Sequence, residues 1–260
     1  MHLLFIFSPK IAWQLSGKSL IATLRICLQL WFFILSRKLF HREGDFKLCG
    51  EYNDMQIVFF LRSLMDIGVL LEVFVDKEYA WCPVSDPQVI IDLGAHFGDT
   101  VLYYHALFPN AKIIAVEPSS ENYERLVKHV GHIQNITLVN AAIGQKDGEV
   151  TLHLMSNSLG HSVADRSGHD STIVVPQLSL SSLFKLNDII KADLIKFDIE
   201  GAEFNLFNQS KPEEFASVYI GEVHNDLNDK DFPLVESWFG KFAVVCKPIK
   251  ENRFLLQANL

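Results

Sequence analysis

The segment VIIDLGAHFGDT, residues Val89 to Thr100, decides how the rest of the sequence is interpreted. A run of aliphatic residues reaches an acid at Asp92, Gly94 and Gly98 then bracket a short turn, and a helix-like pattern follows. In α/β proteins, a strand, a glycine turn and a helix in this order hold a small molecule against the backbone at a strand end. The segment therefore predicts a ligand-binding turn after the first strand of a parallel sheet.

The composition of the 260-residue chain excludes several classes of protein. Hydrophobic residues make up 49% of the sequence, which indicates a globular fold rather than disorder. The net charge of −8 leaves no basic footprint, so no nucleic-acid partner is expected. Four scattered cysteines without a C-x-x-C pair predict neither a zinc site nor a disulfide framework, and this is typical of a cytoplasmic protein.

Residues 1–42 differ in charge from the rest of the chain, because they contain no Asp or Glu. Their basic residues are Lys10, Lys18, Arg25, Arg37, Lys38 and Arg42. An apolar stripe at helical spacing is formed by Leu20, Leu24, Cys27, Leu28, Trp31, Leu35 and Leu39, which predicts a basic amphipathic helix.

Two interpretations of this helix remain open. It is either a cap packed on the catalytic domain or a helix lying in a membrane surface, as a peripheral contact at the inner face. Arg25 and Gln29 interrupt the apolar run and disfavour a spanning helix. We favour the cap, because amphipathic helices mostly face a core.

From Val89 onward, apolar strands alternate with helical segments. The predicted strands after the first are KIIAVEP (112–118), ITLVNAAIG (136–144), GEVTLHL (148–154), STIVVPQLSL (171–180), DLIKFDIEG (193–201) and VYIGEVH (218–224), followed by a C-terminal antiparallel hairpin. This order predicts an α/β fold, with a doubly wound, mostly parallel, Rossmann-like sheet. We assign residues 1–80 to a helical N-terminal extension and 81–260 to the catalytic domain. The polar stretch 155–168 predicts a functional loop.

Parallel sheets bind ligands at the carboxyl ends of their strands, so the polar residues there indicate the ligand. The turn lacks the G-K-[ST] of a phosphate loop, and His96 occupies the position of the second glycine in a dinucleotide-binding turn. A carboxylate at Asp92 suits an ammonium, and one at Glu117 suits the hydroxyls of a ribose. A ligand with a ribose, an ammonium and no phosphate is S-adenosylmethionine.

Several of these segments together resemble one family. VIIDLGAHFGDT, IIAVEPSSENYERL, NITLVNAAIG, LIKFDIEGAE and YIGEVH occur in the order found in FkbM methyltransferases, which use S-adenosylmethionine. The resemblance implies a seven-stranded class I methyltransferase domain and O-methylation of a hydroxyl on a sugar, glycan or secondary metabolite. It also implies that Gly94, Ala95, His96 and Gly98 hold the methionine end of the cofactor, that Glu117 holds the ribose, and that Asn140, Ala141 and Ala142 border the adenine. His96 departs from the usual Asn of the family.

The candidate catalytic residues follow later strands. Asp198 is the first candidate for a general base or an acceptor-orienting group, and Lys196 shares its strand face. Lys196 is either functional or the internal ion-pair partner of a nearby acid. Glu222 and His224 share a face of the next strand, and His224 is an alternative base. Asp198, Glu222 and His224 could together ligate a divalent ion, but nothing in their spacing demands one, so no metal is predicted.

Three other functions remain as alternatives. An N-methyltransferase would share the cofactor half, and a catalytically inactive membrane-associated protein would keep the fold alone. A nicotinamide-dependent oxidoreductase is disfavoured by His96 and Asp92. The acceptor pocket is expected from the N-terminal extension, the 155–168 loop and the segment after His224, where no motif identifies the acceptor or the oligomeric state.

Overall fold

The computed structural model describes residues 2–154, 171–208, 210–224, 232–250 and 253–260. The predicted loop at 155–168 and the start of the segment after residue 224 lie outside these ranges. The helices are α1 (His2–Gln14), α2 (Leu20–Leu39), α3 (Leu64–Leu70), α4 (Asp99–Leu107), α5 (Ser120–Val130), α6 (Leu180–Leu186), α7 (Glu203–Phe207), α8 (Pro212–Phe215) and α9 (Phe232–Trp238). The strands are β1 (Phe46–Tyr52), β2 (Met55–Leu61), β3 (Val89–Leu93), β4 (Lys112–Val116), β5 (Ile136–Val139), β6 (Ala142–Gly144), β7 (Gly148–Leu154), β8 (Ser171–Ser179), β9 (Ala192–Phe197), β10 (Ala216–His224), β11 (Ala243–Lys250) and β12 (Arg253–Asn259).

The chain divides into two compact units. The first unit contains residues 1–80 together with 99–109, so α4 belongs to the same unit as the N-terminal segment. The second unit contains residues 81–98 and 110–260 and holds the large sheet. The sequence-based division at residue 80 therefore differs from the structural units by one helix.

The first unit is not purely helical, which corrects the prediction for residues 1–80. β1 and β2 form an antiparallel hairpin whose two-residue turn, Asn53-Asp54, has both φ angles positive (50° and 63°). Asn and Asp tolerate the left-handed region and are the residues that such tight turns favour. Alternating burial along both strands places one hairpin face in the core of the unit. The signal was present in the sequence as an Asn-Asp pair between two alternating runs.

A seven-stranded sheet forms the centre of the second unit, in the order β11-β12-β10-β9-β3-β4-β5. β10, β9, β3, β4 and β5 are parallel, and β12 is antiparallel to both of its neighbours. The predicted mostly parallel sheet and C-terminal hairpin are confirmed. The parallel strands are apolar along almost their whole length because helices and loops cover both faces.

The predicted third strand, residues 136–144, is wrong as a single strand. It breaks after Val139: β5 ends in the large sheet, and β6 pairs with β8 in a separate three-stranded sheet, ordered β6-β8-β7. The break lies at Asn140, whose side chain donates to the carbonyl oxygens of Glu117 (2.8 Å) and Pro118 (3.3 Å). This local tie competes with continued strand pairing, so the chain leaves the large sheet there.

The order of strands places a topological switch point between β3 and β9. From β3 the chain adds β4 and then β5 on one side, and it returns to add β9 and then β10 on the other. In open α/β sheets the crevice at such a point, outside the carboxyl ends of the strands, is where ligands bind. The loops after β3 and β9 therefore mark the site.

Candidate active site

The glycine turn after β3 is held closely against two neighbouring strand ends. The backbone N–H groups of Gly94 and Ala95 both donate to the carbonyl of Val116, at 2.9 and 3.0 Å. Gly94 has a φ of +81°, and a Cβ there would lie 1.9 Å from the carbonyl oxygen of Asp198. Only glycine satisfies both the backbone conformation and this approach, so the turn brings the ends of β3, β4 and β9 together.

Glu117, at the end of β4, connects the glycine turn to the start of α5. Its carboxylate accepts the N–H of His96 at 3.0 Å through Oε2 and the N–H of Ser119 at 2.9 Å through Oε1. Burial raises the pKa of Glu117 to about 7, although these N–H donors, the Asn122 side chain and the charge of Lys196 lower it in part. His96 itself has a positive φ of 48°, so the carboxylate stabilises an otherwise uncommon loop conformation.

Asp92 and Lys196 form a buried ion pair, which is one of the two interpretations that the sequence left open for Lys196. Lys196 Nζ lies 3.0 Å from Asp92 Oδ1 and donates to the carbonyl of Gly94 at 2.8 Å. Their side chains are only 3% and 0% exposed. Asp92 therefore presents no free carboxylate surface to a ligand ammonium, and Lys196 cannot touch an acceptor. The pair holds the glycine turn in place through the hydrogen bond from Lys196 to the carbonyl of Gly94.

The residues predicted to border an adenine are also largely used within the protein. Asn140 ties down the loop after β4 through the two hydrogen bonds described above. Ala141 and Ala142 are each only 2% exposed, and Ala142 belongs to the apolar cluster of the three-stranded sheet. Of the three, only Asn140 is half-exposed and able to meet a ligand. The alanines form the wall behind it.

A cluster of four carboxylates surrounds the imidazole of His224 at the ends of β9 and β10. His224 Nδ1 lies 3.3 Å from Glu203 Oε1, and Nε2 lies 3.2 Å from Glu222, 3.6 Å from Glu200 and 3.7 Å from Asp198. Glu203 and Glu222 are buried, whereas the side chains of Asp198 and Glu200 are 28% and 22% exposed. In this cluster the carboxylates of Asp198 and Glu200 face solvent, and the imidazole of His224 lies buried beneath them.

The carboxylates around His224 favour the protonated form of its imidazole. Burial alone lowers the pKa of the imidazole, but hydrogen bonds to Glu203 and Glu222 and the charges of Asp198 and Glu200 raise it to about 11. A group that stays protonated at neutral pH cannot accept a proton from an acceptor. The raised pKa therefore disfavours His224 as the base at neutral pH, and its role as an alternative base stays a prediction. Glu222 is 2% exposed and acts on the imidazole rather than on an acceptor.

Asp198 differs from its neighbours in being both accessible and perturbed. Although 28% of its side chain is exposed, burial is the main cause that raises the pKa of Asp198, and the charge of Glu222 raises it further. The charges of His224 and Lys196 lower it in part. Its backbone N–H donates to the carbonyl of Leu93 at 2.9 Å, which fixes the carboxyl beside the glycine turn.

The same cluster offers a possible set of metal ligands. Single ligand atoms of Asp198, Glu200 and His224 lie within 4.8 Å of one another. An ion would bind His224 only as the neutral imidazole, so ion binding would compete with the protonation that the surrounding carboxylates favour. The absence of a metal stays a prediction.

Two members of the cluster were not assigned to the site from the sequence. Glu200 has a positive φ of 52°, so the backbone turns sharply at this residue, three positions after the end of β9. Glu203 begins α7, and its carboxylate also accepts the N–H of Ile199 at 3.3 Å. The signal was the density of acids in DIEGAE, but the partner, His224, lies 21 residues beyond Glu203.

The fold and this site define the class of protein. An open, mostly parallel seven-stranded sheet with this strand order, a glycine turn at the switch point and an acid at the end of the next strand is a class I S-adenosylmethionine-dependent methyltransferase. The chain belongs to the FkbM methyltransferase family: the model of the methyltransferase FkbM domain matches residues 92–251, more than half of its length. The resemblance inferred from the motifs is thereby confirmed, and S-adenosylmethionine is the cofactor.

Three solved structures with a similar chain path illustrate the fold. A fibrillarin from Aeropyrum pernix, in complex with S-adenosyl-L-methionine, is 12% identical with a TM-score of 0.46, and the match covers 82% of each chain. A putative methyltransferase from Streptococcus mutans is 12% identical with a TM-score of 0.47, covering 84% of this chain and 57% of that one. A precorrin-6y C5,15-methyltransferase from Geobacter metallireducens is 12% identical with a TM-score of 0.43, covering 70% and 85%. Similarity at this level does not identify an acceptor. The search of curated proteins gave no match.

Proposed function

We propose that this methyltransferase methylates a hydroxyl of a sugar, glycan or secondary metabolite, with Asp198 as the general base. The observation that supports this most directly is the position of Asp198: an accessible carboxyl with a raised pKa, at the switch point, one hydrogen bond away from the glycine turn. Bound S-adenosylmethionine supplies a methyl group on a positively charged sulfur. The residues of the chain must hold that cofactor, orient the acceptor and take up its proton.

The residues around the glycine turn fit the cofactor. A carboxylate has about four acceptor sites, and the backbone and Asn122 donors of Glu117 leave capacity for a ribose hydroxyl. The turn after β3 has neither the G-K-[ST] of a phosphate loop nor the second glycine of a dinucleotide-binding turn, so it does not favour a dinucleotide. We propose that Gly94, His96 and Glu117 line the cofactor site, and that Ala95, Gly98 and the Asp92–Lys196 pair maintain its shape from behind.

The raised pKa of Asp198 suits proton removal from a hydroxyl. A hydroxyl is a weak acid, so its oxygen becomes a good nucleophile only if a base removes the proton during methyl transfer. A base is most effective when its pKa approaches the working pH, and burial together with Glu222 moves the pKa of Asp198 in that direction. The His224 imidazolium, held by Glu203 and Glu222, keeps the neighbouring carboxylates in place, and we describe it as a positioning residue.

The charge of the cluster favours a hydroxyl over an amine as the acceptor. Four carboxylates near the acceptor side would stabilise a protonated amine, which has no lone pair for methyl transfer. The two accessible carboxylates, Asp198 and Glu200, can accept hydrogen bonds from the hydroxyls of a sugar. Glu200, exposed beside Asp198, is suited to orient a second hydroxyl of such an acceptor. With a net charge of −8, nucleic acid is not proposed as the acceptor.

The proposed reaction is tested by transfer of an isotopically labelled methyl group from S-adenosylmethionine. The full chain is incubated with parallel panels of mono- and oligosaccharides and of amines, and products are identified by mass spectrometry. Methyl ethers on a hydroxylated acceptor support the proposal. N-methyl products alone would show the alternative specificity, and tight cofactor binding without any transfer would support the inactive alternative.

Replacement of Glu117 by Gln is expected to weaken S-adenosylmethionine binding by about 10- to 100-fold, the usual effect of losing a hydrogen bond to a charged group. Each carboxylate oxygen of Glu117 accepts one backbone N–H, from His96 and from Ser119. In the Gln side chain one of these oxygens becomes an NH₂ group, which would point at a backbone N–H and form no hydrogen bond with it. In the wild type, hydrogen bonds donated by the ribose hydroxyls favour the ionised form of the Glu117 carboxyl. Affinity should therefore be full above the pKa of about 7 and fall as the pH drops through it.

Isothermal titration calorimetry between about pH 6 and pH 8 measures both effects. The matched control is Glu124→Gln, the same change at an exposed position of α5, which should leave affinity and pH dependence unchanged. Wild-type affinity in the Glu117 variant, with the pH dependence retained, would show that this carboxylate does not hold the cofactor.

A further inference from the structure

Helix α2 has two apolar faces, of which one is buried in the first unit and the other is largely exposed among the residues that the structure describes. Ile26, Leu30, Phe33 and Ile34 are at most 1% exposed and pack inside the first unit. The opposite face is exposed and consists of Leu20, Ile21, Leu24, Leu28, Trp31, Phe32, Leu35 and Leu39. At about 100° per residue these eight positions form one continuous stripe along the whole helix, about 120° wide. Most of the stripe predicted to pack as a cap therefore faces solvent.

By length and composition alone, α2 could cross a membrane. Its packing in the first unit argues for a different placement. One side of the helix contacts α1 and β1, and its buried residues would lose those partners if lipid surrounded the helix. Arg25 is exposed beside the apolar stripe and Gln29 lies further round, so the helix has a polar flank that suits an orientation parallel to a surface.

The charge around this face indicates what covers it. Residues 1–42 carry six basic and no acidic side chains within a chain whose net charge is −8. Lys18, Arg25 and Arg42 are exposed around the apolar stripe. Trp31 in the stripe and Trp13 at the end of α1 are 36% and 41% exposed. Basic residues beside an apolar, tryptophan-bearing stripe are typical of helices that lie at the headgroup level of anionic lipid.

We propose that α2 docks lengthwise on an anionic lipid surface, with its exposed stripe in the acyl boundary and its basic residues at the headgroups. The cytoplasmic leaflet is anionic, so the protein is a peripheral protein of the inner face of a membrane. This inference does not depend on the proposed reaction, since it concerns a different unit of the chain. It attaches the chain to a lipid surface through α2 without α2 crossing the bilayer.

Flotation of the full chain with vesicles tests the proposal. Vesicles of phosphatidylcholine with phosphatidylglycerol should bind the protein, and vesicles of phosphatidylcholine alone should bind at least about tenfold less. Added salt should reduce the binding to anionic vesicles because it screens the basic residues. Equal binding to both vesicles, or no binding to either, would overturn the proposal.

The double variant Leu24→Asp/Leu28→Asp places two charges in the stripe at positions that are 61% and 54% exposed. It should lower vesicle partitioning about tenfold or more while leaving circular dichroism and S-adenosylmethionine binding unchanged. Ile190→Asp, at a 95% exposed position of the second unit, is the matched control and should float like the wild type. A double variant that floats normally would exclude the stripe as the contact.

The other occupant to be distinguished is a second copy of the chain. Sedimentation velocity without lipid reports the oligomeric state of the wild type and of the double variant. If the wild type and the double variant are both monomers, the result supports a lipid surface as the partner of the stripe. A wild-type dimer that the double variant converts to monomer would show that the stripe is a protein interface, and would overturn the proposal.

Discussion

Replacement of Asp198 by Asn should lower kcat for methyl transfer by about 10²- to 10⁴-fold, with little change in S-adenosylmethionine affinity. Asn keeps the size of the side chain and the backbone hydrogen bond to Leu93, but it cannot accept the proton of a hydroxyl. Folding should not suffer, because the change removes one of four carboxylates that repel each other around His224. The loss should therefore appear in the chemical step.

The pH profile separates a base from a merely structural group. Because the pKa of Asp198 is raised, the wild-type rate should be full above that pKa and fall as the pH drops through it. The Asn variant should lose this dependence and keep only its residual rate. Asp188→Asn, the same chemical change at an exposed position, is the control. A rate within a few-fold of wild type in Asp198→Asn would contradict the assignment.

Gly94→Ala should destabilise the second unit by about 3 kcal/mol or more and abolish cofactor binding. The added Cβ would lie 1.9 Å from the carbonyl oxygen of Asp198, which is backbone and cannot turn away, and φ is +81°. Relief would require the ends of β3 and β9 to separate, which would break the hydrogen bond from Asp198 to Leu93. The measurement is urea unfolding followed by calorimetry with S-adenosylmethionine.

The matched control for this variant is Gly68→Ala in α3. Nothing lies within 4 Å of a Cβ there, and alanine is the better helix former, so stability should be unchanged or higher by up to about 1 kcal/mol. Equal midpoints for Gly94→Ala and the wild type would show that the glycine turn can move away from β9, contrary to the structure.

The parts of the fold that the sequence predicted are those encoded locally. The β3 turn follows from an apolar run and two glycines. The mostly parallel sheet follows from the alternation of strands and helices. Each of these depends on neighbouring residues, so pattern alone was sufficient.

The parts that the sequence did not predict depend on distant partners. Lys196 could be functional or an ion-pair partner, and only its approach to Asp92, 104 positions earlier, shows that it is the latter. The pKa of His224 depends on four carboxylates from two strand ends, which no local pattern describes. For α2, helical spacing identified an apolar stripe but could not show which of two apolar faces the first unit would cover.

The position of β12 has a consequence for how the protein is made. Arg253–Asn259 form the last strand of the sheet along the chain, but they lie between β10 and β11. β10 is buried along almost its whole length and has no partner on this side until β12 arrives. During synthesis β10 therefore keeps an unpaired, apolar edge. Edges of this kind bind chaperones and promote aggregation. The sheet closes only after residues 253–259 leave the ribosome.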